Sequence, residues 1–359
     1  MPIFDSQSIQ SVIVHRVGNK QTEEGIVLSP KPLVLNEQLQ DLFVTFFIQP
    51  FKAEEYYHLY HDDNLLLNTV YQQAVDIFDN PECLPEASQS IARHLYDACL
   101  HPNIKGGDLF VVYFHDCQLE GETLDAVGLF KSENKEPFLK VLHDSEEWDS
   151  HDEADFAFSQ FRIEPDKGIN INKLDKGAII FNTQRDDGFL VSVVDASNHS
   201  TDAVYWKDNF LQIKQCEDEY FNTHQAMNAY KNFVTKELPQ QFADVSKADC
   251  VELLNRGAKF FKENQNFDLD QFNQEVISQP EVIDKFQQYR QQYQEDNNID
   301  LPENFNIHEA AVKKDARGYK NVIKLDKNFH IYVHGHPDLI EQGVDERGKY
   351  YKVYYEEEN

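Results

Sequence analysis

Two stretches near the middle of the chain, residues 107–115 (Gly-Asp-Leu-Phe-Val-Val-Tyr-Phe-His) and 123–130 (Thr-Leu-Asp-Ala-Val-Gly-Leu-Phe), are almost continuously apolar. A strand with one wet face alternates apolar and polar residues. A run without alternation is a strand covered on both faces. Gly106-Gly107 opens the first strand, residues 116–122 connect the two, and Gly121 suits the reversal. Charge arrives abruptly after Phe130: Lys131, Glu133, Lys135 and Glu136 mark the point where a buried strand is expected to surface.

The flanking segments supply the cover. Residues 8–17 alternate as an opening strand, and Gly18-Asn19 turns it. Asn36 is placed to cap a helix running to Ile48, with Leu39, Leu42, Phe43, Phe46 and Phe47 on one stripe and Pro50 closing it. A second helix follows Asn64 and Asn68 to about Phe78, a third spans residues 85–100, and residues 136–143 are expected as a short helix. Residues 178–181 and 189–194 flank Arg185-Asp186-Asp187-Gly188, a hairpin signal. Tyr205, Trp206 and Phe210 follow as a cover for the sheet.

From Glu219 the pattern turns helical: residues 220–236, 246–263, 268–277 and 280–295. Ser246 and Asp249 form a capping-box pair, and Pro280 stands in a first turn. Three strands, residues 319–325, 328–333 and 349–355, are expected to close the chain. The expected fold is α+β: an N-terminal mixed α/β domain with a central sheet over residues 1–217, then over 218–359 a helical segment and a small antiparallel β-meander.

Charge limits the function. With 63 acidic against 33 basic residues the formal charge is −30, so the bulk field repels polyphosphate. DNA binding then needs a local basic patch, a partner or assembly into a homo-oligomer, and a chain of this charge could equally bind basic proteins. Five scattered cysteines without a CxxC point to a reduced, cytoplasmic chain and to neither a disulfide framework nor a zinc site. No signal peptide is evident, no apolar run reaches the roughly 20 residues of a membrane helix, and no membrane association is expected. Residues 144–155 hold seven acids and no base, a solvated loop whose functional alternatives are cation binding or DNA mimicry. GxSxG, Walker, HExxH and GxGxxG patterns are absent, and no cofactor is expected.

Three features carry chemistry. Residues 312–327 hold Lys313, Lys314, Arg317, Lys320, Lys324 and Lys327 against Asp315 and Asp326, the clearest net-basic window. Such a window suits phosphate contact, with Tyr319 and Phe329 nearby for stacking; it equally suits an edge strand whose lysines discourage pairing. Asp125 followed by Glu133-Asn134-Lys135, beside Lys131, resembles the skeleton in which carboxylates hold Mg²⁺ and a lysine supports the attacking water. It equally suits charges gathered at a strand end. His330, His334 and His336 would share one face of a continuing strand, although Gly335 and Pro337 end it.

An ordered set of short matches spans nearly the whole chain. It includes Ile13-Val14-His15-Arg16-Val17-Gly18-Asn19, Pro50-Phe51-Lys52, Ser90-Ile91-Ala92-Arg93-His94-Leu95-Tyr96 and Lys105-Gly106-Gly107-Asp108-Leu109. Leu124-Asp125-Ala126-Val127-Gly128-Leu129-Phe130-Lys131-Ser132-Glu133 is the most telling. Leu174-Asp175-Lys176-Gly177-Ala178, Phe260-Phe261-Lys262 and Ile323-Lys324-Leu325-Asp326 complete it. In these the chain resembles the bacterial nucleoid-associated protein family of the NdpA/YejK type. The resemblance implies a cytoplasmic protein found with the nucleoid that binds DNA, and it brings no catalytic residues; the mode expected here is contact without sequence preference through the local basic patch. The alternatives are a metal-dependent nuclease using Asp125, Glu133 and Lys135, or an acidic scaffold that recruits basic DNA-binding proteins.

Overall fold

A computed structural model describes residues 4, 6–52, 55–119, 121–143, 161–196, 205–242, 245–319, 322–325, 327–333 and 339–355. The acidic stretch 144–155 lies outside the described residues. The chain divides into two units, Met1–Cys216 and Glu217–Asn359.

The first unit runs β1 (Ile9–Val17), β2 (Ile26–Val27), α1 (Glu37–Ile48), β3 (Tyr56–Leu59), α2 (Thr69–Asp79), α3 (Leu84–Ala98), β4 (Gly107–Leu119), β5 (Glu122–Ser132), β6 (Glu136–His143), β7 (Phe161–Gly168), β8 (Lys176–Phe181), β9 (Leu190–Asp195), a π-helical turn Tyr205–Leu211, and β10 (Ile213–Gln215). Eight strands form one antiparallel sheet in the order β10-β3-β9-β8-β5-β4-β1-β2. The two apolar runs are β4 and β5, next to each other near its middle.

Pleating sorts their side chains between two cores. Leu109, Val111 and Tyr113 of β4, Val127 and Leu129 of β5, and Ala178 and Ile180 of β8 pack with α2, α3 and the π-helical turn. Phe110, Val112, Phe114, Ala126, Phe130, Ile179 and Phe181 pack with Phe43, Phe46 and Phe47 of α1. Phe47 stacks on Phe130 at 4.3 Å between ring centroids. Removing such a ring costs about 3–5 kcal/mol. The sheet tolerates rings this large because β5 carries Gly128, where a Cβ would lie 2.3 Å from Phe130 and 2.7 Å from Phe114.

Caps fix where the helices begin. The Asn36 side chain accepts from Leu39 N at 2.8 Å. Asn68 is fully buried: its Oδ1 accepts from Tyr71 N at 2.9 Å, while its Nδ2 donates to the carbonyls of Tyr60 at 3.0 Å and Leu211 at 2.9 Å. One side chain thus ties the start of α2 to the ends of β3 and the π-helical turn. The β8–β9 connection depends on Gly188, whose φ is +105°; a Cβ there would lie 2.0 Å from the Leu59 carbonyl oxygen.

Residues 136–143 form strand β6, which corrects the expected helix. They pair with β7 over eight residues in a two-stranded ribbon of its own. Pro137 in second place is compatible with a helical first turn and β-branched Val141 opposes helix only slightly, so the pairing decides; the partner strand lies beyond the acidic stretch, where local periodicity cannot announce it.

The second unit contains α4 (Glu219–Asn232), which continues through a π-helical turn Phe233–Glu237 into Leu238–Gln241, then α5 (Lys247–Glu263), β11 (Asn266–Asp268), α6 (Leu269–Phe272) with a π-helical turn Asn273–Ile277, α7 (Pro280–Asn297), β12 (Asn304–Asn306) and α8 (Glu309–Asp315). Tyr230, Phe233, Phe260, Phe261, Phe267, Phe272 and Phe286 fill its core. The Ser246–Asp249 capping box is present in both directions. The closing β region is antiparallel and consists of two hairpins, β13 (Val322–Lys324) with β14 (His330–Tyr332) and β15 (Ile340–Asp345) with β16 (Gly348–Val353). Residues 349–355 therefore pair mainly with β15, a strand the apolar pattern did not reveal. Among the described residues no helix is long and apolar enough to cross a membrane.

Candidate nucleic-acid interface

The basic window is divided among several elements. Lys313 and Lys314 sit on α8, Arg317 on the 3₁₀ turn Ala316–Gly318, Lys324 in β13, and Lys327 in the turn to β14. Lys313, Lys314, Arg317 and Lys327 are exposed. Of Lys324 only the backbone is described, and Lys320 lies outside the described residues. The edge-strand alternative therefore fails for the first three, which are held on helical backbone.

The window is held against the core by Tyr319, which is buried and donates its hydroxyl to Met227 O at 2.7 Å. Tyr319 is thus unavailable for stacking, whereas Phe329 is exposed. Lys314 Nζ lies 5.4 Å from the Tyr220 ring centroid, a cation–π contact. Lys313 pairs with Glu309 at 2.7 Å and Asp315 with His224 at 2.6 Å, so two nearby acids are already engaged. The sequence missed one cation. Lys231 of α4 reaches the same turn, its Nζ 3.0 Å from where a Gly318 Cβ would stand. No local pattern joins residues so far apart in the chain.

The second feature is dispersed. Asp125 lies near the far end of β5 from Glu133, eight residues and roughly 26 Å away along an extended strand. Asp125 accepts from the Tyr113 hydroxyl at 2.6 Å, bonds His115 Nδ1 at 2.8 Å and accepts from Asp116 N at 3.2 Å. Burial, then Asp125, raises the Tyr113 pKa and keeps the phenol a donor. Ligand atoms of His115, Asp116 and Asp125 lie within 4.8 Å of one another, so these three could hold a cation by position. A bulge between Phe114 and Cys117, with Asp116 at φ +52°, turns His115 and Asp116 toward Asp125.

At the other end of β5, Lys131 does not surface as expected. It is fully buried, directly opposite the equally buried Lys176 of β8. Lys131 Nζ donates to Lys105 O at 2.7 Å, to Glu133 Oε1 at 2.9 Å and to the Tyr205 hydroxyl at 3.0 Å. Lys176 pairs with Asp195 at 2.9 Å. Both ammonium groups lie near the Tyr205 ring, at 5.2 and 5.1 Å from its centroid. Burial, then Glu133, holds the Tyr205 phenol well above its usual pKa, so it donates to Glu133 Oε1 at 2.7 Å. Lys135 points outward to Asp108 at 3.0 Å. Glu133 and Lys135 therefore serve different surroundings, and the three residues of the nuclease skeleton do not converge. The cluster is a charge-balanced anchor that ties the π-helical turn and β9 to the central strands. Of the three histidines, His330 is exposed on β14, and His334 and His336 lie outside the described residues.

A family model described as nucleoid-associated protein YejK matches residues 13–358, nearly the whole chain. No curated protein and no solved structure matches the chain at a significant level.

Proposed function

The chain belongs to the nucleoid-associated protein YejK family, and on that premise we propose that it binds duplex DNA directly, through the phosphate backbone and without reading bases. Lys313, Lys314 and Arg317 make the contact, Lys231 adds a fourth cation, and Lys327 extends it. The carrying observation is the gathering of exposed cations from α8 and its following turn beside Lys231; Asp315 is engaged by His224, and Lys313 exchanges its exposed partner Glu309 for phosphate on binding. Phosphate contacts position a protein without sequence information, and their strength falls with salt as counterions are released. The surrounding −30 charge makes such a patch orientation-selective: every other approach meets repulsion.

The test is fluorescence anisotropy of a short labelled duplex across a salt series, with the wild-type chain and a Lys313→Glu/Lys314→Glu/Arg317→Glu variant. Each phosphate contact contributes about 0.9 to the slope of log affinity against log salt. The triple variant should lose about two to three units of slope, along with most of its affinity at low salt. No binding by the wild type at low salt, or an unchanged slope in the variant, would overturn the proposal. The −30 charge also favours the scaffold reading, in which the chain captures basic proteins. That reading expects basic-protein capture to persist in the triple variant.

A further inference from the structure

The last hairpin meets the body of the second unit along only part of its length. Pleating puts Ile340, Gln342 and Val344 of β15 on one face, and the register adds Val353, Tyr351 and Lys349 of β16 to it. Ile340 and Tyr351 pack against the small cluster of Ala248, Val251, Ile323 and Val333. Toward the tip that contact ends: Val344, on the same face, is 73 % exposed. Between this part of the hairpin, the start of α5 and the end of β13 lies an open slot of about 590 Å³.

The lining of the slot narrows its occupant. Val344, Leu325 and Tyr351 supply apolar wall, Lys247 and Lys349 are exposed at its rim, and among the described residues no acid lines it. In a chain of formal charge −30 that is a local reversal of sign. Asp249, two residues along α5 from Lys247, is taken up by the Ser246 backbone N–H at 2.7 Å. Gln342 also lines the slot, and its Oε1 accepts from the Tyr351 hydroxyl at 3.0 Å, which leaves the amide N–H groups to donate to a ligand. The occupant therefore needs an anion for the lysines, an apolar face for the walls and an acceptor for Gln342. An alkyl chain has no such acceptor, and the lysines repel a basic protein segment. A nucleotide has all three, and its size suits a pocket of this volume. Pairing and stacking hide the faces of a base inside a duplex, so the nucleotide must be unpaired. Every base offers a π-face and an acceptor, so the slot does not select among them.

We infer that this slot binds an unpaired nucleotide of a DNA strand, the base lodged among Val344, Leu325 and Tyr351 and the phosphates on either side of it held by Lys247 and Lys349. The choice of DNA rests on the function proposed above, whereas the slot holds the face of a base and the basic window holds duplex backbone. The two adjoin at Leu325, which lies between Lys324 and Lys327 in the chain. A duplex with a single-stranded tail can use both, and it should bind more tightly than a blunt duplex of the same length.

The test uses the full chain and a short labelled oligothymidine carrying one 5-iodouracil, a base that cross-links under ultraviolet light to an aromatic ring stacked on it. Anisotropy measures the affinity, and mass spectrometry locates the cross-link. The cross-link is expected on the peptide that holds Tyr350 and Tyr351. Val344→Trp fills the slot without changing charge; it should weaken strand binding about tenfold and abolish that cross-link, with duplex affinity unchanged. Lys349→Ala, at an exposed position, should keep the cross-link and lower the salt slope of strand binding by about 0.7. A wild type that does not bind the strand overturns the inference. So does a cross-link found only elsewhere, or strand affinity that neither variant changes. The duplex measurement separates the two readings. Strand cross-linking at the slot without duplex binding supports the slot and overturns the window, and duplex binding without that cross-link does the reverse.

Discussion

His15 shows how much one side chain of β1 decides. It is buried, its Nδ1 accepts from Ser29 N at 3.1 Å, and its Nε2 lies 3.0 Å from Ser88 Oγ, which itself donates to Pro85 O at 2.9 Å. That circuit needs a neutral imidazole, since a proton on Nδ1 would face the Ser29 N–H. Burial, then the charge of Arg93, lowers its pKa from 6.5 to about 4. Because the folded value is depressed, the unfolded chain binds the extra proton between those values. Stability is therefore complete above pH 6.5 and is lost as pH falls toward 4, by about 3 kcal/mol at one pKa unit per 1.36 kcal/mol. Urea midpoints from pH 7 to pH 4.5 measure this, and His15→Gln should flatten much of the slope. Lys131 offers a second residue-scale test. Lys131→Met strands Glu133 in a nearly buried place and should cost about 3–5 kcal/mol. Adding Glu133→Gln should recover part of that loss. A double variant no more stable than the single would show that the ion pair is not the source of the penalty.

At the scale of elements, what the sequence disclosed was local. Asn36, Asn68 and the Ser246–Asp249 pair cap helices within one residue of where their chemistry places them, because a cap is written in three or four consecutive residues. The apolar runs of β4 and β5 were equally plain, since both faces are covered. Pairing across distance stayed hidden: β6 finds β7 beyond the acidic stretch, and β16 finds β15, whose Gln342 and Gly343 do not advertise a strand. The same limit governs the sites. Lys131 and Lys176 look like surface charges until the sheet register sets them opposite each other under Tyr205. The caps also differ in cost. Ser246→Ala removes one exposed capping bond and should cost about 1 kcal/mol. Asn68→Ala removes a buried cap and also leaves the Tyr60 and Leu211 carbonyls without its amide, so about 2–4 kcal/mol is expected. Chemical denaturation of the two variants should reproduce that order; equal losses would contradict it.

For the molecule as a whole, the division of the buried residues matters most. The two cores flanking the sheet draw their members from residues 1–216, and the aromatic core of the second unit, with the smaller cluster at its closing hairpins, draws from 217–359. Each unit therefore has an apolar interior of its own, large enough to fold cooperatively. Two-state behaviour is a property of single domains and is not expected of the full chain. Differential scanning calorimetry should show two transitions, and the two groups of variants should separate them. His15→Gln, Asn68→Ala and Lys131→Met should move one transition, and Ser246→Ala the other. Lowering the pH from 7 to 5 should shift the transition assigned by Asn68→Ala through His15. A single transition that shifts with every variant would mean that the two units unfold as one, and the separate cores would then not be separate in energy.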